Sequence, residues 1–126
     1  MTTLTPVEER IRRELIDFMK IGDNDKSFVR YKPLAGKFHI PFGNEHERNL
    51  FFDMLGNISR YEFEHNRRPL LSVVVVNDQL IPGKGFFTLA KSELKKQRPD
   101  EDNDQFAIRE RRELFEFWQH HDDPDR

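Results

Sequence analysis

The chain contains no cysteine, which excludes a disulfide scaffold, a thiol nucleophile and any zinc site built on thiolates. It also has no apolar run approaching the roughly 20 residues needed to cross a bilayer, so no membrane partner is expected. The first residues, Met-Thr-Thr-Leu-Thr-Pro, lack the basic and apolar regions of a signal peptide. Together these absences lead us to expect a cytoplasmic protein. An excess of one charge is missing too, the net charge being -2. That near-balance conceals an asymmetry along the chain. Residues 1–27 carry 5 Lys/Arg against 6 Asp/Glu, residues 28–98 carry 12 against 7, and residues 99–126 carry 4 against 10. The basic middle suits a polyanion, and the acidic end either repels one or folds over the basic surface.

What is present is phenylalanine, with 12 copies in 126 residues. Rings of that size need partners to bury them, and the length suits one domain with a single core. Helical patterning dominates. Thr5 caps a helix that starts at Pro6, carries Glu8 and Glu9 in its first turn, and spaces Val7, Ile11, Leu15, Phe18 and Met19 along one face. It should end near Gly22. Residues 28–31 predict a short extended piece, and Lys32 to Lys37 a small helix with Pro33 in its first turn. Asn44 caps a longer helix reaching about His65, with Leu50, Phe51, Met54, Leu55, Ile58 and Tyr61 as its apolar stripe. A last helix, about Asp104 to His121, follows an acidic lead-in that suits the positive end of its dipole.

Between the last two helices lies Arg68 to Ala90, with four consecutive valines at Val73 to Val76. The valines predict a buried strand. Asn77, Asp78, Pro82, Gly83 and Gly85 predict a turn, and Phe86 to Ala90 a return strand. The fold class expected is therefore α+β, a small winged-helix-like domain with helices around a short β-ribbon. Residues 1–121 would form this single domain and residues 122–126 an acidic flexible tail.

The order of helix, Val29-Arg30-Tyr31-Lys32-Pro33-Leu34-Ala35, second helix with Gly56-Asn57, then a proline-led valine strand resembles the DNA-binding domain of O6-alkylguanine-DNA alkyltransferases and alkyltransferase-like proteins. Tyr31 and Ala35 match that family's Thr-Tyr-Gly-x-x-Ala lead-in to a short helix. Arg48 stands nine residues before Asn57, as the family's arginine stands before its Gly-Asn-Pro, and Pro69 leads the strand. The resemblance spans roughly residues 28–90 and implies DNA binding, with Arg48 inserted beside a flipped base. It does not imply alkyl transfer, because Leu70, Leu71 and Ser72 occupy the region of the family's cysteine and histidine. Residues 58–68 are additional helix, and Phe51, Phe52 and Met54 replace the small residues of the family's recognition helix. Arg68 to Ser72, Pro82 to Phe86 and Phe115 to Trp118 also resemble a pattern in small bacterial proteins, which implies no particular activity.

Candidate contacts follow. Tyr31, Arg48, Asn49, Asn57, Arg60, Arg67, Arg68 and Lys84 are the expected nucleic-acid-binding residues, with Lys84 at a wing tip touching phosphate. Pro82-Gly83-Lys84-Gly85-Phe86 reads either as an anion-binding nest or as a plain hairpin turn. An alternative function is a protein-interaction subunit of a larger bacterial assembly, or a homodimer, docking through Phe115, Phe117 and Trp118 unless those rings close the core. A third is a metal-dependent nuclease in which Asp78 and Glu93 hold magnesium and Lys95 activates water, although Ser92 to Gln97 reads as helix where such enzymes use a strand. Glu45-His46-Glu47 and His120 to Asp123 read as a polar cap and a solvated end. The expected function is thus non-catalytic binding, to DNA first, with no cofactor and no metal.

Overall fold

The computed structural model describes residues 1–24, 26–65 and 67–125. Among them the chain forms five α-helices and one small parallel sheet. Helix α1, Pro6–Ile21, opens with a reciprocal cap: Thr5 Oγ1 accepts from Glu8 N at 3.3 Å and Glu8 Oε1 accepts from Thr5 N at 2.9 Å. Its stripe of Ile11, Leu15, Ile16 and Met19 is fully buried. Strand β1, Val29–Arg30, leads directly into α2, Tyr31–Lys37. Helix α3, Glu45–Glu64, is capped by Asn44 Oδ1, which accepts from Glu47 N at 2.9 Å. Helix α5, Asn103–His120, repeats the reciprocal cap with Asp102 and Gln105. α1 packs against both α3 and α5. Of the helix read at Ser92 to Gln97 only Ser92 and Glu93 are helical, but the four helices expected at residues 6–22, 32–37, 44–65 and 104–121 are present within about two residues at each end.

The β-ribbon is not. Leu71–Val74 forms a 3-10 turn, Val75–Val76 forms strand β2, and the return segment becomes helix α4, Lys84–Thr88, continued by a π-helical turn, Leu89–Glu93. β2 pairs with β1 in parallel, Val29 opposite Val75 and Arg30 opposite Val76. The reason lies in where the backbone groups of the valine segment find partners. Leu70 N donates to the buried Glu110 carboxylate at 2.9 Å, and Ser72 N donates to Ser59 Oγ at 3.1 Å. Side chains of α5 and α3 thus serve the amides ahead of β2, and β1 in place of the return segment pairs with β2. Every residue from Leu70 to Val76 is buried, so the segment is a plug between helices and has no solvent face. On the return, Asn77 Oδ1 accepts from Gln79 N and Ile81 N, closing a side-chain-mediated turn.

The expected flexible tail is also corrected. Residues 122–125 fold back onto α1 and the end of α3: Asp123 accepts two 2.9 Å hydrogen bonds from Arg12, and Asp125 accepts one of 2.7 Å from Tyr61 Oη. Arg126 lies outside the described residues. No helix among the described residues is long and apolar enough to cross a membrane.

Candidate functional site

A cleft of about 670 Å³ opens between α3 and the helical segment that begins at Lys84. Its apolar surface comes from Phe52, Leu55, Phe86 and Leu89, and its polar groups from Tyr31, Asn49, Asp53, Arg60, Ser72, Lys84, Thr88, Ser92 and Glu93. At one side of the cleft the start of α4 is tied to α2. Gly83 N donates to Tyr31 Oη at 2.6 Å, and a Cβ on Gly83 would stand 2.7 Å from that oxygen. Only glycine lets the backbone come so close to the phenol. The Tyr31 ring meets Phe52 edge-on at 4.9 Å. Burial raises the Tyr31 pKa, the hydrogen bond from Gly83 offsetting this only in part. The phenol is therefore a neutral hydroxyl at physiological pH.

Arg60 also lines the cleft. Its guanidinium makes a two-point ion pair with Glu93 and donates from Nη1 to Asn57 Oδ1 at 2.9 Å. Asn57 Nδ2 in turn donates to Glu8 Oε2 at 3.0 Å. A continuous run of side chains thus links the cap of α1, the middle of α3 and the π-helical turn. The hydrogen bond to Glu93 raises the Arg60 pKa against the opposing effect of burial, so the arginine stays charged. Within the lining, Arg60 and Lys84 are matched by Asp53 and Glu93. The cleft is consequently amphipathic and near neutral, unlike the basic trough of a protein that tracks a sugar-phosphate backbone.

Four of the eight expected contacts, Tyr31, Asn49, Arg60 and Lys84, line this one cleft. The other four do not. Asn57 is committed to Glu8 and Arg60. Arg48 lies one residue before Asn49 on α3, half-buried and outside the lining. Arg67 is exposed, with its guanidinium 4.3 Å from the centre of the Phe63 ring. Arg68, expected at a sugar-phosphate backbone, is only 3% exposed and is paired with Glu62 away from the cleft. Lys84 is exposed as expected, but on the first turn of a helix and not at the tip of a wing.

The docking residues are likewise corrected. Trp118 and Phe115 are buried in the core and Phe117 packs against it, because α5 turns its aromatic side inward against α1. Of the residues of the nuclease reading, Glu93 lines the cleft and is engaged by Arg60, whereas Asp78 and Lys95 lie outside the lining.

Two important carboxylates escaped the sequence reading. Glu62 is fully buried, and its Oε2 accepts from Arg12 Nε and Arg68 Nη2, each at 3.0 Å. Burial pushes its pKa up, and the two arginines pull it back only in part. Its position four residues after Ile58 on the buried stripe was the available signal. Glu110, buried on α5, accepts from Leu70 N and from Lys96 Nζ at 2.6 Å. No family model, curated protein or solved structure matches this chain.

Proposed function

We propose that the protein is a non-catalytic nucleic-acid-binding module whose α3–α4 cleft receives one unpaired base, with Lys84 meeting the adjoining phosphate. The observation that carries this reading is the convergence of Tyr31, Asn49, Arg60 and Lys84 on a single cleft. At about 670 Å³ it falls in the range of small-molecule sites. Its make-up suits a base: apolar rings for the flat faces, amide and hydroxyl groups for the edge, and little net charge. A regular duplex offers no such group without flipping, so single strands are the favoured ligand. The reading draws on α2 and α3, the helices that the alkyltransferase-like resemblance implies at the DNA surface, and makes no use of a wing.

Fluorescence anisotropy with labelled single- and double-stranded oligonucleotides at low and moderate salt tests it. Single strands should bind more tightly, Asn49→Ala and Lys84→Ala should each weaken binding about three- to tenfold, and only Lys84→Ala should reduce the salt dependence. Absence of binding at micromolar protein, or binding that neither substitution weakens, would overturn the proposal.

A further inference from the structure

Arg12 and Arg68 lie side by side at the junction of α1, the end of α3 and the C-terminal segment. Each is 3% exposed. Both donate to the same oxygen, Glu62 Oε2. Both also stack near the same two rings, with the Arg12 guanidinium carbon 5.3 Å from Tyr61 and 5.8 Å from Trp118, and that of Arg68 5.9 and 5.8 Å from them. Carboxylate and rings thus hold two cations in place before any further partner is counted.

That further partner is Asp123, which takes the two-point fork of Arg12, and Asp125, whose Oδ2 is 3.6 Å from Arg12 Nη2 and 3.4 Å from Arg68 Nη2. The segment bringing them reads Asp-Asp-Pro-Asp and buries no apolar side chain, with Asp122 and Pro124 exposed. Apart from these aspartates, Lys20 holds the segment's start, through His121 O at 2.9 Å and Asp122 at 3.8 Å. We propose that Arg12 and Arg68 form a receptor site for a phosphate group, filled in this conformation in cis by Asp123 and Asp125.

Charge and donor number both favour phosphate. Two arginines and Glu62 sum to +1, and the two aspartates add -2, the charge a phosphate approaches at neutral pH. A planar guanidinium fork recognises phosphate with the same geometry as carboxylate. The aspartates also leave donors unused, since Arg68 Nε and Trp118 Nε1 are buried without a hydrogen-bond acceptor. A tetrahedral anion instead gathers its oxygens around one centre, in directions that two separate planar carboxylates do not offer. A tethered segment presents its carboxylates at an effective concentration on the order of millimolar, so the unaltered chain resists free phosphate below that level.

The test uses the full-length Asp123→Asn/Asp125→Asn protein, with the single tryptophan, Trp118, as reporter. Inorganic phosphate is titrated against chloride at equal ionic strength. Saturating fluorescence change at least tenfold tighter in the double variant than in the unaltered chain is expected, with Asp122→Asn behaving as unaltered. A parallel titration with a phosphoserine peptide and its unphosphorylated form separates the sources. Equal gain for phosphate and phosphopeptide assigns a free anion, whereas a larger gain for the phosphopeptide assigns a phosphorylated segment. A chloride response equal to that of phosphate, or no tenfold gain, overturns the site. If the double variant does not fold, Asp125→Asn alone is titrated in the same way. Failure of that protein to fold as well would show the aspartates to be fixed structure and would also overturn it.

Discussion

Arg12 and Asp123, 111 residues apart, are joined by two parallel hydrogen bonds of 2.9 Å. The pair fastens the first helix to the end of the chain. Burial by itself would lower the Arg12 pKa, but its hydrogen bond to Asp123 and the nearby Glu62 more than reverse this, so the guanidinium remains charged. Asp123→Asn keeps the shape and removes the charge. Because Arg12 keeps Glu62 as its ion-pair partner, the substitution weakens a charge-assisted contact without stranding the guanidinium and should destabilise by about 1.5–3 kcal/mol, read as a lowered urea midpoint with unchanged slope.

Gly83 and Tyr31 give a second expectation. In Gly83→Ala the new methyl would collide with Tyr31 Oη at 2.7 Å, and relief requires α4 to shift and the cleft to change shape. Overpacking of this kind costs about 1–3 kcal/mol. Tyr31→Phe removes the colliding oxygen, so the double variant should be more stable than the sum of the single changes predicts. A double-mutant cycle measured by chemical denaturation checks it, and strict additivity would argue against the close approach.

The buried serines should respond unequally. Ser59 Oγ accepts from Ser72 N at 3.1 Å and also meets Ser72 Oγ at 2.6 Å. Ser59→Ala leaves a buried backbone N–H without a partner and should cost about 1–3 kcal/mol. Ser72→Ala keeps that N–H bonded and should cost less. Amide exchange at Ser72 should accelerate in the first variant only.

Glu101 supplies a pH test. Its carboxylate accepts from Arg109 Nε at 2.7 Å and from Arg109 Nη2 at 2.9 Å. These hydrogen bonds are the main reason its pKa is lowered to about 2. The folded pKa is depressed, so the associated stability is complete above the unfolded value of about 4.3 and is lost as pH falls toward 2. A carboxyl-carbon NMR titration should place the Glu101 midpoint near 2, and Arg109→Gln should raise it toward the ordinary glutamate range, short of it because the hydrogen bond from Arg98 N remains.

Much of the helical framework was legible because the signals are local. Thr5 with Glu8, Asn44 with Glu47, and Asp102 with Gln105 satisfy amides within one turn of their own helices, and the apolar spacing behind each cap fixes which face turns inward. The candidate site was only half legible. Tyr31 and Lys84 sit where their own short elements place them, but whether Arg60 and Arg68 face a ligand depends on Glu93 and Glu62, 33 and 6 residues away in sequence.

The sequence by itself determined where helices α1, α2, α3 and α5 begin and end, because caps, proline and apolar period act over a few residues. Tertiary structure alone decided the fate of Val73 to Val76. A run of β-branched residues specifies burial, but the partners for the adjoining backbone are Ser59 and Glu110, 13 and 40 residues from the amides they bind. With those side chains in place and β1 paired with Val75 and Val76, an antiparallel return strand is unnecessary, and the return segment is free to coil into α4 beside the cleft. The acidic C-terminal segment follows the same logic. Its charge is written in the sequence, but its docking required two arginines that only the packed helices bring together.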